Sequence, residues 1–99
     1  MIKIEVTKND ITILGHAMYD DYGKDIVCAA VSSTVITSVE LISAIDINAI
    51  DVTNSKDKLT LKINNHNETI DKLINTMMSL LTNLEKQYPK NIKIINREE

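Results

Sequence analysis

The residues of this chain that are best suited to do chemistry lie together between Gly15 and Ser33, in the stretch GHAMYDDYGKDIVCAAVSS. The stretch contains the only cysteine, Cys28, and one of the two histidines, His16. A cysteine thiolate is a strong nucleophile, and an imidazole can act as its general base and then as a general acid. The two residue types therefore indicate a candidate nucleophilic site.

The same stretch predicts where Cys28 lies along a helix. Asp25 is a favourable N-cap, which makes Cys28 the third residue of that helix. The first turn of a helix carries unpaired N–H groups and the positive end of the helix dipole, and both stabilise an anion. Because His16 ends a strand-like run, we expect the imidazole to lie at a strand end and to approach the sulfur. The backbone N–H groups of this first turn, including that of Cys28, are candidates for an oxyanion hole.

Three nearby residues are candidates for supporting or substrate-positioning roles. Asp25 is interpreted first as the helix N-cap, since its negative charge beside Cys28 would oppose thiolate formation; orientation of His16 or of a substrate is a secondary role. Ser32 follows Cys28 by one helical turn, so both side chains are predicted to face one cleft. Gly23 is expected to serve the backbone where the loop ends.

Each candidate also has a simpler interpretation. A lone cysteine is often a small buried hydrophobic residue, and a lone histidine at a strand end is often a surface or hydrogen-bonded core residue. His66 lies in a polar turn and is predicted to be solvent-exposed, so it is the natural control for His16. Tyr19 and Tyr22 are candidates to contact an apolar substrate. One cysteine and two histidines do not supply a zinc-ligand pattern, and no metal or other cofactor is predicted.

The motif GHA, followed by GKDIVCAAVS with Cys28 twelve positions after His16, resembles the ribosomal-processing cysteine protease family called Prp. This resemblance implies a cysteine endopeptidase in which His16 and Cys28 are the catalytic residues, and Ser32 matches a serine that the family associates with activity. It further implies a substrate, the apolar, partly aromatic N-terminal extension of large-subunit ribosomal protein twenty-seven, which is removed during ribosome assembly. A homodimer and a flexible loop between the histidine and the cysteine are also implied.

Two other functions remain open on the sequence. The chain could be a non-catalytic homodimeric module that binds a ribosomal protein tail or another peptide without cutting it. It could also be a redox sensor in which Cys28 is oxidised reversibly, although a chain with one cysteine would then need an external thiol.

Composition predicts the general class of the protein. Ninety-nine residues are enough for a single domain, residues 1–99, and the absence of Trp and Phe requires an aliphatic core. The net charge of −3 and the lack of a basic patch give no indication of direct nucleic-acid binding. We find no signal peptide and expect no apolar run of membrane length, so we predict a cytoplasmic protein without a membrane partner. A domain this small gains from further burial, which favours a dimer.

Hydrophobic periodicity predicts an α/β (α+β) fold with the element order ββαββαβ. The first helix carries a stripe of Val27, Val31, Val35, Val39 and Ile42, and we expect much of this helix to be buried. We expect one mostly antiparallel sheet with two helices packed against it, and a C-terminus that frays at residues 97–99. The predicted strands are 1–7, 11–17, 49–53, 58–63 and 91–96, the helices are 26–45 and 68–87, and a loop covers 18–24.

Overall fold

The structure is a computed structural model, and it describes residues 1–21 and 23–97. Its elements are β1 (Ile2–Val6), β2 (Asp10–Leu14), α1 (Ile26–Ile45), β3 (Ile50–Ser55), β4 (Lys58–Ile63), α2 (Glu68–Gln87) and β5 (Ile92–Asn96). The predicted element order and fold class are confirmed. The proposed role of Tyr22 and the expected fraying of residues 98 and 99 lie outside the described residues.

Both helices begin and end where the sequence predicts, because local chemistry fixes their ends. The carboxylate of Asp25 caps α1, and the side chain of Asn67 caps α2 by accepting a hydrogen bond from the N–H of Ile70 at 3.0 Å. Pro89 follows α2 closely, and a proline cannot continue a helix.

The sheet has the strand order β3-β4-β2-β1-β5. Neighbouring strands are antiparallel except for β1 and β5, which are parallel, so the prediction of a mostly antiparallel sheet is confirmed. The strand β2 is central, between β4 and β1. The chain that follows β2, which contains His16, therefore leaves the middle of the sheet and not its edge.

The core is aliphatic and lies between one face of the sheet and the two helices. Ile4 of β1, Ile11 of β2 and Leu61 of β4 are fully buried on that face. Residues with the opposite alternation, such as Lys3 and Lys62, are exposed on the other face. The fold thus has two layers, and the helices cover only one side of the sheet.

The prediction that much of α1 is buried is wrong. Four residues of its stripe are buried (Val27, Val31, Val35 and Ile42), whereas Ile36 on the outer face is 58% exposed. The expectation that the chain has no apolar run of membrane length is also wrong, because among residues 1–21 and 23–97 the helix α1 is long and apolar enough to cross a bilayer by length and composition. One such helix is weak evidence for a membrane span, since core helices of globular proteins pass the same test.

The strand β2 ends at Leu14, three residues before its predicted end at residue 17. Gly15 has φ +84°, and a Cβ at this position would lie 2.7 Å from the carbonyl oxygen of Met1. The backbone there tolerates only glycine, because a side chain would clash with the carbonyl of Met1. Consequently, His16 lies in the segment after the strand and not within it.

Candidate active site

A cleft of about 540 Å³ lies between the segment after β2, the loop that precedes α1 and the first two turns of α1. All five residues that the sequence analysis selected line this cleft: His16, Gly23, Asp25, Cys28 and Ser32. The sequence analysis missed three further residues of the lining, which are Met18, Asp20 and Ala29. The arrangement brings one thiol, one imidazole and one hydroxyl to a shared opening.

Cys28 is half-buried at the third position of α1, with its sulfur held against the chain that follows β2. The Sγ atom accepts a hydrogen bond from the N–H of Ala17 at 3.2 Å. Ala17 is 1% exposed, and its carbonyl oxygen in turn accepts from Nδ2 of Asn91 at 2.9 Å. Hydrogen bonds to an ionised acceptor are stronger than bonds to a neutral one, so this N–H is well placed to hold a sulfur anion.

The carboxylate of Asp25 joins the loop to the helix. Its Oδ1 accepts from the N–H groups of Val27 and Cys28, both at 3.0 Å. Its Oδ2 accepts from the N–H groups of Tyr19 at 3.0 Å and Asp20 at 3.5 Å. These donors, led by the N–H of Cys28, lower the pKa of Asp25 below its ordinary value of 3.8. The preferred interpretation of Asp25 as an N-cap is confirmed by these contacts.

Two of the contacts expected at this helix start are not present in the structure. The N–H of Cys28 donates to Asp25, so in this structure it is not free to bind a substrate oxyanion. The carboxylate of Asp25 does not orient His16 either, because its hydrogen-bond partners in the described chain are the four backbone N–H groups.

Asp57, rather than Asp25, contacts the imidazole of His16. The His16 Nε2 atom lies 2.8 Å from Oδ1 of Asp57, a residue of the turn between β3 and β4 that is 41 positions away in sequence. The two side chains are 57% and 54% exposed. Sequence reasoning missed Asp57 because nothing local to it points to His16; only the pairing of β2 with β4 brings them together.

The loop between β2 and α1 contains three residues with different surroundings: Gly23, Tyr19 and Met18. Gly23 has φ +85° with open space around its Cα, so its predicted backbone role is one of conformation and not of packing. The ring of Tyr19 packs edge to face on Tyr88, with centroids 5.5 Å apart, and does not line the cleft. Met18 lines it instead, with φ +56°.

A second groove, of about 680 Å³, continues from the cleft and shares His16 and Ser32 with it. The groove runs between α1 and the strands β2, β4 and β3. Its walls are largely aliphatic and are formed by Ile13, Val35, Ile36, Val39, Val52, Leu59 and Leu61. The two together form a continuous channel that is apolar at one end and carries the thiol at the other.

His66 is exposed and lies outside this channel. Its Nδ1 is 2.9 Å from Oδ1 of Asp71, and its Nε2 is 2.9 Å from Oδ1 of Asn9. Within residues 1–21 and 23–97, no three or more His, Cys, Asp and Glu side chains are grouped so that they could hold a metal ion.

A sequence profile of the family described as "Cysteine protease Prp" matches residues 1–93. The chain is 30% identical over 105 residues to a protein from Staphylococcus aureus named "Ribosomal processing cysteine protease Prp", covering 95% of this chain and 97% of that protein. It is 30% identical over 100 residues to a protein of the same name from Mycoplasma genitalium, covering 99% and 97%.

Solved structures of Prp proteases have the same fold as this chain. The crystal structure of an essential ribosomal processing protease Prp from S. aureus, in complex with a covalently linked product peptide, superimposes with a TM-score of 0.92 at 25% identity. The match covers 98% of this chain and all of the other. A structure of the S. aureus protease with a substrate peptide has a TM-score of 0.85 at 24% identity and shares the fold.

Proposed function

This chain belongs to the Prp family of cysteine proteases, and we propose that it cuts its substrate with Cys28 as the nucleophile and His16 as the general base and acid. The observation that supports this assignment is that both side chains line one cleft, with Cys28 half-buried and the cleft open to solvent. The family signature supports it as well, because both residues stand at the positions of the matching motif.

The reaction follows the usual course of a thiol protease. His16 takes the proton of the Cys28 thiol, and the sulfur attacks the carbonyl carbon of the scissile bond. The tetrahedral intermediate collapses, the C–N bond breaks, and His16 gives its proton to the leaving amine. Water then attacks the thioester with His16 again acting as the base, which releases the carboxylate product and restores the thiol.

We propose as substrate the N-terminal extension of large-subunit ribosomal protein twenty-seven, which the family resemblance implies. The relatives are named ribosomal processing cysteine proteases, and a peptide is bound in the related S. aureus structures. The aliphatic groove that continues from the cleft supports an apolar, extended peptide as the substrate of this chain too. An enzyme that removes this extension would act in the cytoplasm, where ribosomes assemble.

Three further residues are proposed to support the reaction. Ser32 presents a hydroxyl to both the cleft and the groove, where it can hold the substrate backbone. Asp25 fixes the loop and the helix start relative to each other. Gly23 allows the loop to enter α1 with its left-handed backbone conformation.

We propose further that the protein is a homodimer, as the family resemblance implies. Leu41 and Ile45 of α1 are both more than half exposed and line neither the cleft nor the groove, and their burial in a second copy would stabilise so small a fold. Sedimentation of the full chain tests this: a monomer at every concentration would contradict it.

The central test is cleavage of a synthetic peptide that spans the extension and its junction. We expect the wild type to cleave it at one bond, and both Cys28→Ala and Cys28→Ser to lose activity by about 10³-fold or more, because each variant lacks the thiol. Mass spectrometry after rapid quenching should find the acyl-enzyme only when Cys28 is present. Equal cleavage by wild type and Cys28→Ala would refute the proposal, and a bound peptide that stays intact would favour the binding module.

A further inference from the structure

We propose that Asp57 is a positioning residue for His16: its carboxylate holds the imidazole in one tautomer, with the other ring nitrogen directed to the chemistry at Cys28. The inference rests on the proposed function of the Cys28 and His16 pair. It adds a residue from a different part of the chain, the turn between β3 and β4, to the residues that serve the reaction.

The contact itself determines the tautomer. An ionised carboxylate can only accept hydrogen bonds, so the 2.8 Å contact requires that the hydrogen is on Nε2 of His16. A neutral imidazole with its hydrogen on Nε2 has its lone pair on Nδ1. Nδ1 is then the nitrogen that can take the thiol proton, and the ring keeps its bond to Asp57 while it does so.

The backbone holds Asp57 where this contact can form. The turn between β3 and β4 has only two residues, Lys56 and Asp57, and Asp57 has φ +58°. The carbonyl oxygen of Asp57 accepts a hydrogen bond from the N–H of Gly15 at 3.0 Å. The carboxylate is therefore tied through its own main chain to the residue directly before His16.

The exposure of the pair limits the expected effect. Both side chains are more than half exposed, so water weakens the interaction relative to a buried triad. A hydrogen bond to a charged group that orients a catalytic base should then change the rate by about 5- to 20-fold, and not by the several thousand-fold of buried systems.

Substitutions at Asp57 can remove its carboxylate while keeping the fold intact. Asparagine and glycine both adopt positive φ readily, so Asp57→Asn and Asp57→Gly should leave the turn unstrained. Asp51→Asn is the matched control, because it removes the same charge from an exposed position on β3 that does not contact His16. Melting temperatures of all variants should match the wild type closely.

We expect kcat for the extension peptide to fall by about 5- to 20-fold in Asp57→Asn and further in Asp57→Gly, with KM little changed. Asp51→Asn should retain wild-type kcat. In the His16→Ala background, Asp57→Asn should have no further effect, because the only route by which Asp57 acts has been removed. An equal loss in both backgrounds would overturn the inference in favour of a structural role, and a higher kcat would mean that Asp57 holds the ring away from the sulfur.

A spectroscopic measurement tests Asp57 even if the proposed function fails. In the wild type at pH 8, ¹⁵N NMR of the His16 ring should show the hydrogen on Nε2. In Asp57→Gly, the two tautomers should become mixed. A wild-type ring with its hydrogen on Nδ1, or a spectrum unchanged in Asp57→Gly, would overturn the inference, whereas activity retained in Cys28→Ala would refute only the proposed function.

Discussion

Similar residues lie near the N-terminal ends of α1 and α2, but they make different contacts. Each helix has a polar cap, and each cap region has a histidine whose ring contacts an aspartate. At α2, both ring nitrogens of His66 have acceptor partners, Asp71 and Asn9. At α1, the ring of His16 has one described partner, Asp57, and lines an open cleft with Cys28. An imidazole with both nitrogens engaged is a structural link, whereas one with a free nitrogen can exchange a proton.

The two helices also differ in the charge of their first turns. The first turn of α2 contains two acidic residues, Glu68 and Asp71, which complement the positive end of that helix. The first turn of α1 contains none, and its third residue is Cys28. Apart from the cap itself, the positive end of α1 is thus left for an anion that forms during the reaction.

The strongest test of this contrast exchanges each histidine for alanine. We expect His16→Ala to lower kcat/KM for the extension peptide by about 10²- to 10⁴-fold, the usual contribution of a general base. His66→Ala should leave kcat/KM within about twofold of the wild type, because its ring lies outside the cleft. Peptide cleavage assayed by chromatography gives both values.

A second measurement guards against misfolding as the cause. His66→Ala removes the exposed contacts of the ring with Asp71 and Asn9 and should lower the free energy of unfolding by only about 0.5 kcal/mol in urea titrations. If His66→Ala were as inactive as His16→Ala while still folded, the contrast between the two helix starts would be wrong.

The two caps provide the next contrast. Asn67→Ala removes one hydrogen bond and should cost about 1 kcal/mol of stability without loss of specific activity. Asp25→Ala also releases the N–H groups of Tyr19 and Asp20, so the loop loses its link to the helix that carries Cys28. We therefore expect a fall in kcat of about 10- to 100-fold for the folded variant. Similar activity in the two alanine variants would show that the cap of α1 is structural only.

The smallest expected effect is the dependence of the caps on pH. The lowered pKa of Asp25 means that its ionised form stabilises the folded state. That stabilisation is complete above the ordinary value of 3.8 and is lost as the pH falls through the lower value of the folded protein. The stability difference between wild type and Asp25→Asn should therefore shrink in acid, whereas that between wild type and Asn67→Ala should not. Urea titrations at pH 7 and in acid measure both differences, and a constant Asp25→Asn difference would contradict the prediction.

Local sequence was sufficient for the helices. Asp25, Asn67 and Pro89 are strong end signals, and both helices have the predicted bounds. The placement of Cys28 in the first turn of α1 follows directly from the cap. The same cap predicts that Cys28 and Ser32, one turn apart, share a face, and both line the cleft.

The sequence did not predict which strands pair with each other. The contact between His16 and Asp57 depends on β2 lying beside β4, and nothing in either strand specifies its neighbour. The exposure of Ile36 was missed because α1 is apolar on several sides: its stripe showed which side meets the core, but not that the other apolar sides stay uncovered. The end of β2 was missed because the backbone geometry at Gly15 depends on the approach of Met1.

The two backbone hydrogen bonds of Ala17 have a consequence for the timing of folding. Its N–H holds the sulfur of Cys28, while its carbonyl is held by Asn91, the residue immediately before β5. An incompletely synthesised chain that still lacks Asn91 cannot make the second of these bonds, and β5 cannot yet pair with β1. The growing polypeptide would thus contain Cys28 well before the backbone that holds its sulfur is tied to the start of the last strand.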